Sequence, residues 1–198
     1  MTPPDLVLAT FNRGKLRELA ALFAGFGLRL RGLDEFAGAL PPAEHGASLL
    51  ENARFKADAA VRLTGLPAIA DDTGLEVEAL AGAPGLRSAR FAGEDATDAE
   101  NVALLLERMR SVPEGRRGAR FHTVCVARLT DGSERVGEGF LEGAITRAPR
   151  GAGGFGYDPV FEVAGMGVTL AELDEASKNA ISHRARAAQA LARLLPGS

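Results

Sequence analysis

Two aspartates in a row, Asp71 and Asp72, open the segment 71-DDTG-74 directly after the apolar run 67-PAIA-70. That run reads as a short strand, and open α/β sheets bind their ligands at the carboxyl ends of strands. Neighbouring carboxylates repel when ionised, and a divalent cation relieves the repulsion. Magnesium takes one or two carboxylates together with phosphate oxygens and water. Asp-Asp-Thr-Gly is equally consistent with a plain turn in which an Asp bonds its own backbone.

Three further segments carry chemically useful residues. The polar loop 10-TFNRGK-15 precedes a helix whose N-terminal N–H groups favour an anion. There Lys15 adds a full positive charge, and Thr10 and Asn12 add hydrogen-bond donors. It is not a P-loop, because Ala9 and Leu16 replace the first Gly and the Ser or Thr; a solvated turn is the alternative. The loop 151-GAGGFGYDP-159 has four glycines among its first six residues, which lets backbone approach a ligand, and Phe155 and Tyr157 offer ring faces for a base. A flexible connection accounts for it nearly as well. In 177-SKNAISHRARA-187, Lys178, His183 and Arg184 cluster donors at the start of a helix, where cations are commonly just solvated. The helix 47-ASLLENARFKA-57 carries Glu51 and Lys56, read as its solvated face, and the loop before it carries Glu44. No G-x-S-x-G occurs, Cys125 lies in a strand with no visible activator, and His45 and His122 have no partner at metal-ligand spacing.

The elements that must position these residues follow from periodicity. Residues 6–10 form a short buried strand. Leu16, Leu19, Ala20 and Phe23 mark one face of a helix ended by Gly25 and Gly27. A strand over 28–33 follows, then a helix marked by Leu49, Ala53, Ala57, Ala60 and Val61 and closed by Thr64-Gly65. Thr97 with Glu100 makes a capping box before Val102, Leu105, Leu106 and Met109. Strands over 119–129 and 134–145 join at 130-TDGS-133. A last helix begins at about Ser177, with Ile181, Ala185, Ala188, Leu191 and Leu195 as its apolar stripe. The alternation predicts an α/β protein with a mixed, strongly twisted sheet and helices on both faces.

Composition narrows the function classes. The chain has 198 residues, 46% hydrophobic and 25% charged, which bounds it to one domain, or one with a small lobe. A net charge of -3, with scattered Lys and Arg, argues against bulk nucleic-acid binding. No apolar run approaches the ~20 residues of a membrane span, and the N-terminus lacks a signal-peptide pattern. A single cysteine excludes an internal disulfide. The expectation is a cytoplasmic protein.

Taken in order, ATFNRGKLRE, ENARFKA, ADDTGLEV, GAPGLRSARFAG, GGFGYDPVF and SKNAISHRARA resemble the inosine/xanthosine triphosphate pyrophosphatases, close to their bacterial form and over the whole chain. The resemblance implies an elongated α/β fold, a single nucleoside triphosphate pyrophosphatase domain over 1–198, a homodimer, no nucleic-acid or membrane partner, and a Mg2+ requirement. The reaction would be hydrolysis of ITP, dITP or XTP to the monophosphate and pyrophosphate. Residue by residue, it implies triphosphate binding by Thr10, Asn12 and Lys15. Asp72 would be the catalytic carboxylate and metal ligand, with Asp71 beside it and Thr73 touching substrate. Phe155, Gly156, Tyr157, Asp158, Lys178, His183 and Arg184 would hold the nucleoside, and Glu44 would be a second metal-associated acid. The family's usual Gly in the first motif is Phe11 here.

The residues agree with that chemistry. Water must attack the α-phosphorus so that pyrophosphate leaves, with Lys15 neutralising phosphate charge and a carboxylate activating the water. Hypoxanthine and xanthine present an O6 acceptor where adenine presents an amino donor, so donors from Lys178, His183 and Arg184 would discriminate between them. A pyrophosphatase for modified pyrimidine or methylated nucleotides is the nearest rival. A sensor that binds without cleaving is the rival from another class.

Overall fold

Short apolar runs punctuated by caps and glycines become alternating strands and helices. The computed structural model describes residues 5–40 and 46–195. In chain order these form β1 (Asp5–Leu8), α1 (Arg13–Ala24), β2 (Arg29–Gly32), α2 (Leu49–Thr64), β3 (Ala68–Val77), β4 (Pro84–Gly85), α3 (Asp98–Arg108), β5 (Gly118–Arg128), β6 (Glu134–Ile145), β7 (Phe161–Val163), α4 (Glu175–Ile181) and α5 (His183–Ala192). Helix starts sit where side chains satisfy the first N–H groups. Asn12 accepts from the Lys15 N–H at 3.0 Å and Ser48 from the Glu51 N–H at 3.2 Å, while Thr97 and Glu100 complete the expected capping box. Gly65, at φ 68°, ends α2 in the left-handed conformation its position demands.

Among the described residues the strand order is β2-β1-β3-β5-β6-β7, with β4 paired to β3. β1 is parallel to both β2 and β3, whereas β3–β4 and β6–β7 are antiparallel. The sheet is therefore mixed, as expected. The chain forms two compact units, and it passes from one to the other within β3, β5 and β6.

The first unit comprises residues 1–72, 123–139 and 183–198. Its core joins Leu6 and Leu8 of β1, Ile69 of β3 and Cys125 and Ala127 of β5 with Leu19 and Phe23 of α1 and Ala187, Ala188 and Leu191 of α5. Side chains alternate along a strand, so these residues define one face of the sheet, covered by α1 and α5. α5 lies against the β6 backbone itself. A Cβ on Gly139 would stand 2.1 Å from the His183 carbonyl oxygen, and one on Gly137 2.4 Å from that of Ala187. These glycines thereby set the position of the helix that carries His183 and Arg184. α2 is braced separately: Arg128 reaches Asp58 at 2.6 Å and Glu134 at 2.9 Å, and Arg54 reaches Glu134 at 2.8 Å.

The second unit comprises 73–122 and 140–182. Its core gathers Leu75, Val77, Val102, Leu105, Met109, Phe121, Leu141, Ile145, Tyr157 and Phe161.

Two local expectations change. The segment 71-DDTG-74 is no turn, because β3 runs through it to Val77. Gly74 is needed for close approach: a Cβ there would meet the Gly85 carbonyl oxygen at 2.9 Å, which would push β4 away. The last helix is two helices. Ser182, at φ −64° and ψ 155°, is extended and breaks the repeat. Asp174 rather than Ser177 starts α4, accepting from the Ser177 N–H at 2.7 Å. Consequently Ile181 packs in the core of the second unit, while Ala188 and Leu191 serve that of the first.

Candidate active site

Successive residues of β3 point to opposite faces, and this separates the two aspartates. Asp71, 1% exposed, faces α1 and α5, where its Oδ2 lies 3.0 Å from Lys15 Nζ and 3.6 Å from Arg184 Nε. Arg184, itself 2% exposed, also makes a short charged contact with the buried Glu18 of α1. Asp72 faces α2. Its Oδ1 accepts from Lys56 Nζ at 2.7 Å and its Oδ2 from Asn52 Nδ2 at 3.1 Å. The mutual repulsion expected of an Asp pair thus has another remedy: each carboxylate has its own lysine, on its own side of the strand.

The electrostatics distinguish the two. Burial alone pushes the Asp71 carboxyl up, but Lys15, Arg184 and Lys56 together hold it well below the ordinary carboxylate range. Asp71 is a fixed anion and a poor proton acceptor. Cys125 is pushed far upward by burial and by the Asp71 charge, so it stays a thiol and offers no nucleophile.

At the N-terminus of α1, Thr10 Oγ1 accepts from the Asn12 N–H at 3.2 Å, so the loop is ordered by its own side chains. Phe11 is exposed there. Among the described residues Ala81 is the one non-glycine with positive φ, so this turn accommodates a side chain without backbone strain. His183, buried, places Nδ1 2.7 Å from Thr123 Oγ1 of β5.

Another preassembled group lies in the second unit. Lys178 Nζ donates to Asp158 Oδ2 at 2.6 Å and stands 4.9 Å over the centre of the Phe155 ring. Asp158 also accepts from the Phe155 N–H at 2.9 Å, and Gly154 leaves room for it, since a Cβ there would come within 2.1 Å of the carboxylate. The Gly156 N–H donates to Asp98 at 2.8 Å, so these amides, like those of Gly153 and Asp158, already serve the protein itself. Tyr157 departs from expectation: its ring belongs to the core and its hydroxyl donates to the Ser88 carbonyl at 2.8 Å, which leaves Phe155 as the ring face. Thr73 is half-buried in β3.

The first unit therefore brings together Lys15, Asp71 and Arg184 on one face and holds Asp72 on the other. The second unit brings together Phe155, Asp158 and Lys178. Glu44 and His45 lie outside the described residues. Sequence reasoning missed Asn52 and Lys56, treating the helix charges as solvated; both are buried. The signal was present, because 52 and 56 fall one turn apart inside the stripe of Leu49, Ala53, Ala57 and Ala60. Glu18 and Thr123 were missed with no local signal, since their partners are distant in sequence.

An α/β scaffold buries two carboxylates in β3 and sets a lysine against each, so charge is concentrated on both faces of one strand. The chain belongs to the Ham1 family, matching it over residues 6–194. It is 50% identical over 188 residues to the dITP/XTP pyrophosphatase of Shigella flexneri, covering 94% of this chain and 95% of that one. The dITP/XTP pyrophosphatase of Geobacillus kaustophilus is 50% identical over 183 residues, 92% of this chain and 90% of its own. Among solved structures, a HAM1 protein from Coxiella burnetii superposes with a TM-score of 0.87 at 41% identity, covering 98% of this chain and 100% of the other. Nucleotide pyrophosphatases typically work with a divalent metal.

Proposed function

We propose that this chain hydrolyses deaminated purine nucleoside triphosphates (dITP, XTP and ITP) to the monophosphate and pyrophosphate, keeping them out of DNA and RNA. The observation that carries the reading is the pair of buried contacts Lys15–Asp71 and Lys56–Asp72 on opposite faces of one strand. It supports a division of labour that a sensor would not require. Lys15, held by Asp71, neutralises the triphosphate tail at the α1 N-terminus with Thr10 and Asn12. Asp72, oriented by Asn52 and Lys56, accepts the proton of the attacking water as the new P–O bond forms at the α-phosphorus and the bond to pyrophosphate breaks.

The cofactor we assign is Mg2+. Among the described residues no three His, Cys, Asp or Glu side chains converge as a metal cage. Asp72 fits a cation shared with the substrate, for each of its oxygens accepts one donor and retains lone-pair capacity. Asp72, with Glu44, would hold the ion, which when bound would supply charge neutralisation on the phosphates.

For the nucleoside, Phe155 offers its ring with Lys178 and Asp158 fixed beside it, together with backbone at Gly156 and Tyr157, and Thr73 touches substrate. His183 and Arg184 donate to O6, which adenine replaces by an amino group, so ATP meets donor against donor. The reading takes residues 1–198 as one catalytic domain and the protein as a cytoplasmic homodimer, working without nucleic acid or membrane. No helix among the described residues is long and apolar enough to cross a membrane.

The test is pyrophosphate release with Mg2+ from ITP, dITP, XTP, GTP and ATP, and from modified pyrimidine triphosphates. The three deaminated purines should be cleaved with kcat/KM at least ~10²-fold above ATP, as expected when a buried polar group of the wrong substrate is left unpaired. Comparable rates across the panel would defeat the proposal, and binding without release would return the protein to the sensor class.

A further inference from the structure

We infer that Thr123 is a specificity-determining residue: its hydroxyl fixes the tautomer of His183, so that the imidazole presents a donor at Nε2. This rests on the reading of His183 as a reader of purine O6. It goes beyond that reading by naming the group that makes the ring a donor.

His183 is the first residue of α5, a ten-residue helix, and is 2% exposed. The partial positive charge of a helix N-terminus and the loss of water both oppose a charged imidazole, and the next residue is the buried cation Arg184. A neutral imidazole has one N–H and one bare nitrogen. Two arrangements then satisfy the 2.7 Å contact between Nδ1 and Thr123 Oγ1. If Nδ1–H donates to the hydroxyl oxygen, Nε2 is an acceptor and repels an O6 carbonyl. If the hydroxyl donates to Nδ1, the proton sits on Nε2, which then attracts O6 and disfavours the adenine amino group. Only the second arrangement suits a deaminated purine. Thr123 is 0% exposed in β5, so the contact is shielded from bulk solvent. Gly139, by letting α5 lie on β6, keeps the ring in reach. Thr123 is thus a positioning residue that acts through His183.

The experiment has a spectroscopic arm and a kinetic arm, both on the full chain. The chain has three histidines, His45, His122 and His183, so long-range 1H–15N correlation of labelled protein resolves each ring, with His183→Gln for assignment. Wild type should show His183 with its proton on Nε2; a proton on Nδ1 overturns the inference without any variant. Thr123→Val preserves the branched shape and removes the donor, and should mix or invert the tautomer. It should also narrow the ITP-to-ATP ratio of kcat/KM by roughly 3- to 10-fold, the size of one neutral hydrogen bond. Thr123→Ser should restore both. A Val variant with unchanged tautomer and unchanged ratio refutes the role. If His183→Ala narrows the ratio but Thr123→Val does not, the inference fails and the O6 reading stands. If the tautomer switches while neither variant alters the ratio, the O6 reading itself fails and the specificity role falls with it.

Discussion

Replacing Lys56 by Met keeps the length and apolar stem of the side chain and deletes the charge that faces Asp72. The pair is 2.7 Å apart, with side chains 8% and 9% exposed. At an effective dielectric constant of about 20, Coulomb's law gives an attraction of ~6 kcal/mol at that separation, which desolvation of both ions opposes. Removing one partner is worse than losing the pair, because the other charge stays buried; such single deletions cost about 3–5 kcal/mol. Asn52 still donates to Asp72 at 3.1 Å, which places the expected loss near the lower end, ~3 kcal/mol. For a chain of this size that lowers the melting midpoint by roughly 6–12 °C. The decisive measurement is a double-mutant cycle in urea with Lys56→Met, Asp72→Asn and the double variant. The double variant leaves neither ion buried, so it should be more stable than the sum of the singles implies by at least ~1.5 kcal/mol. A single Met variant that loses under ~1 kcal/mol, with additive behaviour in the cycle, would show that the pair is an ordinary solvated contact and that α2 does not hold Asp72.

Asp72→Asn should cut turnover by ~10²-fold or more while the fold persists, in line with loss of a proton acceptor; near-normal turnover would move the role to another acid. Stability should respond to acid through Asp71. Its folded value lies below the ordinary ~3.9 of the unfolded chain, so its stabilisation is complete above that pH and is lost as pH falls towards the folded value. Wild-type midpoints should therefore drop steeply below about pH 4, and Asp71→Asn should flatten that slope while lowering stability at neutral pH. Arg184→Ala should narrow the ITP-to-ATP ratio of kcat/KM by roughly 10- to 100-fold if it reads O6. An unchanged ratio with lost stability would confine it to bridging Glu18 and Asp71.

What could be read from sequence divides along physical lines. Caps and periodic faces are local, so Thr97 with Glu100, the end of α2 at Gly65 and the hairpin around Gly132 were all legible. Residue 74 was misread because a glycine that bends a chain and one that admits a neighbouring strand look alike; only the Gly85 carbonyl that a Cβ there would meet decides. Ser182 broke a stripe that continues in register on either side, since a repeat of small apolar residues cannot announce that its halves serve different cores. The charged centre was half legible. Adjacent aspartates stand out, yet their partners come from α1, α2 and α5, and no local pattern couples position 71 to 184 or 72 to 56. Lysine scarcity is legible in the sequence, but its meaning depends on partners that only the fold supplies. Only three of the 23 basic residues are lysine, and each of them contacts an aspartate of the candidate site: Lys15 with Asp71, Lys56 with Asp72 and Lys178 with Asp158.

That last pattern has a physical rationale beyond composition. Arginine offers a planar fork of donors and stays charged in any setting, which suits the pairs that brace α2 to the β5–β6 hairpin. An ammonium is a compact charge with three rotatable donors. It can hold one carboxylate oxygen and still turn another donor towards a phosphate, without imposing the geometry a guanidinium demands. Arg184 is the exception that fits the same logic, because it sits where two carboxylates, Glu18 and Asp71, must be bridged at once and a fork is the better shape. Adjacent aspartates on one strand make this arrangement possible. A strand turns consecutive side chains to opposite faces, so one residue can be sacrificed to hold Lys15 while its neighbour, three bonds of backbone away, is presented separately by α2. Two acids on the same face would have had to share a cation; on opposite faces they are free to take different tasks.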